Sequence, residues 1–159
     1  MSVNIVPGKG FQLTFENGRT LSCMFGYDNY CENRSKREYL LAPEVEVPEH
    51  SSADFEIAGW SDRDCPWVNF GCDEVEGWVD LKHVVEFGKF LRDSESIHFF
   101  EVDYDRDPVQ IRLSTNKYPD CVSVLTDNGS WTPLFWGDSE AEYALGMLEL
   151  CLECVRGEN

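Results

Sequence analysis

What this sequence lacks excludes most of the obvious readings. Positive charge is scarce: 13 lysines and arginines stand against 30 aspartates and glutamates, a formal net charge of −17. Such a surface repels nucleic acid and anionic membrane and attracts basic partners from beyond contact range, so direct DNA or RNA binding is not expected. No run approaches the roughly 18 apolar residues that would span a bilayer. The start, MSVNIVPGKGFQLTF, carries Lys9 but no apolar stretch or cleavage site of a secretory signal, so the protein is expected to stay in the cytoplasm. Nucleotide and hydrolase signatures are missing as well. No glycine run matches a P-loop or a dinucleotide fingerprint, no serine sits in a G-x-S-x-G elbow, and no two histidines have H-E-x-x-H spacing.

Histidine is rare too. Besides His50, His83 falls near the polar side of a predicted helix and His98 lies beside Phe99 and Phe100, so each of these two reads as an ordinary surface or core histidine. With 30 carboxylates on hand, any two can be paired into an acid/base dyad, which predicts nothing. No catalytic residue is assigned and no cofactor is implied. A small hydrolase is the least favoured reading.

Seven cysteines (Cys23, Cys31, Cys65, Cys72, Cys121, Cys151 and Cys154) are an odd number in a chain without a secretory start, and they read as reduced thiols that pack like small hydrophobes. Zinc is the alternative, with Cys151 and Cys154 at knuckle spacing and Cys65 and Cys72 completing a set of four. It is set aside because 151 and 154 lie in a helical pattern and no second C-x-x-C exists. Asp103, Asp105 and Asp107 open like an EF-hand loop, but Pro108 stands where glycine is required and Ser114 where a glutamate belongs, so that calcium site is rejected.

What is present is enough for one domain spanning 1–159: 42% hydrophobic residues, 13% aromatic. Phe11, Leu13 and Phe15 alternate with polar residues, Asn17-Gly18 turns the chain, and Leu21, Cys23 and Phe25 alternate on the return, which predicts a hairpin closed by a type I′ turn with both turn residues at positive φ. Residues 27–37 have no period and read as an exposed loop. Residues 43–52 read as irregular. Strands are predicted at 54–60, 67–70, 97–102, 109–113, 121–126 and 131–136, with 73–77 an acidic loop. Two helices follow from apolar spacing: one from Asp80 as N-cap to about Arg92, one from about Glu140 to Val155 with Ser139 and Glu142 in capping-box spacing. The expected class is α+β, a mainly antiparallel sheet covered by two helices, with a weak internal repeat of 1–92 on 96–159.

The acidity is unevenly placed. Residues 1–42 hold four acids and five bases, a net of +1, while 43–159 hold 26 acids and eight bases, a net of −18. If the strand at Ile97 continues, Glu101, Asp103, Asp105 and Asp107 project from one face about 6.6 Å apart. With Asp73, Glu74 and Glu76, and with Glu140, Glu142, Glu149 and Glu153, such a display imitates a phosphate backbone towards a nucleic-acid-binding protein. The bland alternative is a solvated face kept for solubility. Trp67, Trp78 and Tyr30 are candidate anchors, since Trp and Tyr dominate docking surfaces. The balanced first segment is left to serve the fold or self-association, a homodimer included.

The segments Gly10–Gly18 and Phe25–Arg34, with Glu56–Trp60 and Phe70–Asp73, give the first 90 or so residues a resemblance to uncharacterised small proteins of bacteriophages and prophages, in which a Phe-x-Asn-Gly hairpin precedes an Asn-Tyr-Cys-x-Asn-Arg-like loop. The resemblance implies a phage origin, a bacterial host cell, and no established activity. The expected role is a binder that blocks a basic host or bacterial-defence protein. The alternative is an immunity-type protein that neutralises a basic toxin nuclease.

Overall fold

The structure, a computed structural model, describes residues 2–35, 50–63, 66–71, 73–102, 109–114, 121–126 and 129–156. Among these the order is β1 (Ser2–Val6), β2 (Gly10–Thr14), β3 (Arg19–Met24), β4 (His50–Ser52), β5 (Phe55–Ser61), β6 (Val75–Val79), α1 (Leu81–Asp93), β7 (Ile111–Ser114), β8 (Cys121–Leu125), β9 (Trp131–Trp136) and α2 (Ala141–Arg156). The class is α+β as expected, but the strands form two antiparallel sheets instead of one, β1-β2-β3-β5-β6 and β4-β7-β8-β9.

Period-two alternation builds the first sheet. Phe11 pairs with Cys23 and Leu13 with Leu21, and these side chains are fully buried. Asn4, Gln12 and Ser22 take the alternate positions of the same strands, with Asn4 donating to Gln12 across them. The predicted hairpin forms, but its turn differs. Gly18 has φ 82° while Asn17 stays out of the left-handed region, and Phe15 pairs with Arg19 across a three-residue loop. The reason lies in Asn17: its amide donates to the carbonyls of Leu91 and Arg92 at the end of α1. The buried Arg19 joins it there, donating to Leu91, Ser94 and Glu95. Helix carbonyls without an internal partner are thus satisfied by a cation and an amide from the hairpin.

Asp80 caps α1 as expected, accepting from the His83 N–H at 3.2 Å. Leu81, Val84, Phe87 and Leu91 give the helix an apolar face, and Gly88 lets α2 approach, since a Cβ there would lie 2.6 Å from Leu145. Ala141, Ala144, Leu145, Leu148 and Leu152 are the buried side of α2. The Ser139 hydroxyl accepts from the Trp136 N–H, so it closes the turn before the helix and the predicted capping box gives way to that bond. Phe11 meets Phe135 edge-on at 5.2 Å, which joins the two sheets in one core.

Three other expectations change. Residues 67–70 and 97–102 are not strands: Asn69 and Phe99 make one isolated parallel bridge, and Phe70 and Phe100 turn inward onto Phe87. Of the expected acidic loop 73–77, residues 75–77 belong instead to the edge strand β6 (Val75–Val79), whose alternation is obscured because Val79 alone is fully covered. His50–Ser52, expected as irregular, pairs with β7.

Candidate partner-binding surface

The Gly26–Arg34 loop, expected to be exposed and loose, is tightly built. Asn29 accepts from the Gly26 N–H and donates to one oxygen of Glu56, while the Tyr30 N–H donates to the other at 2.7 Å. The Glu32 N–H reaches Asp54, and the Glu32 carboxylate accepts from the Ala53 N–H. Asn33 is wholly buried and its amide bridges the carbonyls of Phe25 and Ser51. The polar residues that made this segment look solvated are its fastenings. Burial, reinforced by Asp54, Glu56 and Glu32 and opposed by the Asn33 N–H, pushes the Cys31 thiol up to about 11, which keeps it protonated at neutral pH.

That framework displays aromatic rings. The Arg34 guanidinium lies 4.2 Å over the Tyr30 ring, and Tyr30 lies 5.6 Å from the ring of Trp78. The Trp78 N–H donates to the Tyr30 carbonyl at 2.8 Å. Gly77 is required beneath, because a Cβ there would come within 2.3 Å of the Tyr30 Cβ. Tyr30 and Trp78 are nonetheless 38% and 43% exposed.

Upstream of β6 a second loop carries Trp67, 41% exposed and 5.0 Å from Trp60. It is pinned by Val68 N–H to Gly59 and Phe70 N–H to Asp73, and the strip 98–101 crosses beside it through hydrogen bonds between Asn69 and both His98 and Phe100. Trp67, Asp73, Glu74, Glu76, Trp78 and Glu101 are therefore gathered on β6 and its flanking loop and strip. Asp73, Glu74 and Glu101 are exposed, Glu76 is half-buried, and Phe99 adds a further exposed ring.

Glu140 and Glu142 do not belong to this group. Phe87 and Phe90 of α1 face Phe70 and Phe100, whereas Gly88 and Lys89 face Leu145 and Glu149 of α2, so the helix stands between the two acidic regions. Glu149 is moreover engaged with Lys89. Asp103, Asp105 and Asp107 lie outside the described residues, as do Cys65 and Cys72.

Among the described residues no group of three or more His, Cys, Asp or Glu side chains is placed to hold a metal. His83 is buried, not on the polar side, because its Nδ1 packs 2.6 Å from the Asp80 carboxylate. A groove of about 240 Å³ between β8, β9 and α2 is lined by Val124, Leu134, Met147, Leu150, Cys151 and Cys154 among others, without a histidine or carboxylate. The Cys151 thiol is pushed up to about 11 by burial and by Cys154. No described helix is long and apolar enough to cross a membrane.

Comparison of the chain with protein-family models, with curated proteins and with solved structures finds no match.

Proposed function

We propose that the protein is a non-enzymatic binder that docks on a basic, nucleic-acid-binding partner and blocks it, with the β6 edge and its flanking loops as the contact. The observation that carries this reading is the gathering of exposed aromatics and exposed carboxylates on one edge: Trp67, Trp78 and Tyr30 with Asp73, Glu74 and Glu101. Charge complementarity speeds encounter and excludes wrong partners, and aromatic anchors slow release. The acids of α2 stand across α1 from this edge, which favours a compact acidic-aromatic patch over one long imitation of a phosphate backbone. The phage-type resemblance supports a bacterial host or defence protein as the target.

The test is affinity capture from a bacterial lysate, followed by binding measurements on the captured partner at about 50 and 200 mM salt, with duplex DNA as competitor. Expected are a basic nucleic-acid-binding partner, affinity that falls with salt, and displacement by DNA. A toxin nuclease as the partner would make the protein an immunity-type inhibitor. Binding indifferent to both salt and DNA would contradict the proposal.

A further inference from the structure

The Tyr30–Trp78 pair is held at a cost that packing alone does not require. Asp28 at φ 65° and Trp78 at φ 52° are the non-glycine residues at positive φ among those described, and both belong to this arrangement. Such a conformation is unfavourable for a bulky L-residue such as tryptophan, and strain of this kind concentrates at functional sites. Here it keeps an exposed indole against an exposed phenol, with Glu56 holding Tyr30 from below through the Tyr30 N–H.

Resting on the reading of a basic partner, we infer that Trp78 with Tyr30 is a subsite for an arginine side chain of that partner. Three observations select this occupant. The Arg34 guanidinium already lies 4.2 Å over the Tyr30 ring, so one ring of the pair takes a guanidinium within the chain itself, and Trp78 is the ring proposed for the partner's. Asp73, Glu74 and Glu76 lead directly into Trp78, which places negative charge along the approach. A second copy of the chain is disfavoured as the occupant because it would bring a charge of −17 against −17. Arginine is preferred over lysine because the guanidinium is planar and more weakly hydrated than an ammonium, so stacking on an aromatic face costs it less water.

The experiment uses nine-residue oligo-arginine and oligo-lysine peptides of equal charge as probes, titrated by fluorescence anisotropy against the full chain. Wild type binds both in a salt-dependent way and the arginine peptide more tightly. Trp78→Ala lowers the arginine-to-lysine affinity ratio about five-fold, whereas Tyr143→Ala, at an exposed ring on α2 outside the contact, leaves the ratio unchanged and Asp73→Asn with Glu74→Gln weakens both peptides alike. Trp78→Gly, whose residue suits the backbone at this position, is the second variant and gives the same loss of preference with circular dichroism unchanged. A ratio unaltered by both Trp78 substitutions overturns the arginine subsite while leaving the basic-partner reading intact. Absence of salt-dependent binding to either peptide overturns both.

Discussion

Two loops flank the same sheet edge and are held by opposite means. Gly26–Arg34 is fastened by polar groups: Glu56, Asp54, Glu32 and Asn33 each close hydrogen bonds to backbone amides or carbonyls. The 66–74 loop is fastened mainly by apolar burial, with Val68 fully covered and Phe70 packed between Phe87 and Phe100. The first mode orders a loop without feeding the core, so Tyr30 stays available outside; the second orders a loop by spending Phe70 inside, and that anchorage leaves Trp67 outside. Exposed Tyr30 and inward Phe70 are the two results.

Substitutions separate the modes. Phe70→Ala has the largest expected effect, about 3 kcal/mol, because it empties a ring site against α1; it should appear as a lower midpoint in global urea unfolding. Asn33→Ala leaves the buried Phe25 carbonyl and the partly buried Ser51 carbonyl without their donor and should cost about 2 kcal/mol, with amide exchange accelerating first in residues 26–34. Glu56→Gln keeps the shape but has a single accepting oxygen, so of the bonds from the Asn29 amide and the Tyr30 N–H one is lost and the other becomes neutral, for about 1 kcal/mol at this half-exposed site; its main effect should be weaker partner binding with a smaller loss of stability than Phe70→Ala. Equal losses of stability from Phe70→Ala and Glu56→Gln would erase the distinction.

The smallest effect concerns pH. Cys31 and Cys151 have folded-state values of about 11, above the ordinary thiol value, with burial the first cause in each. A group raised by folding contributes stability that is complete below its unfolded value and is lost as pH rises through the folded one, so stability should decline between about pH 9 and 11. Cys31→Ser should flatten that decline, as read by thermal unfolding at pH 7.5 and pH 10.

The elements set by local pattern were legible in the sequence: the Phe11–Phe25 hairpin, both helices, and the Asp80 cap. Those set by tertiary competition were not. Asn17 and Ser139 looked like turn and cap residues, but one is taken by the end of α1 and the other by Trp136. The edge strand β6 was hidden by Glu74, Glu76 and Gly77, and Asn29–Arg34 read as solvated because a side chain that bonds a distant backbone amide looks the same in sequence as one that bonds water. Trp67, Trp78 and Tyr30 were recognisable as anchors by residue type. That Trp78 and Tyr30 meet, and that Glu140 and Glu142 stand apart from them, needed the packing of α1.

The most direct test of the central claim is hydrogen–deuterium exchange of the protein alone and bound to its captured partner. Protection is expected in residues 28–34 and 67–79, with the α2 segment 140–153 unchanged. Protection confined to 140–153, with both loops exchanging as in the free protein, would contradict it.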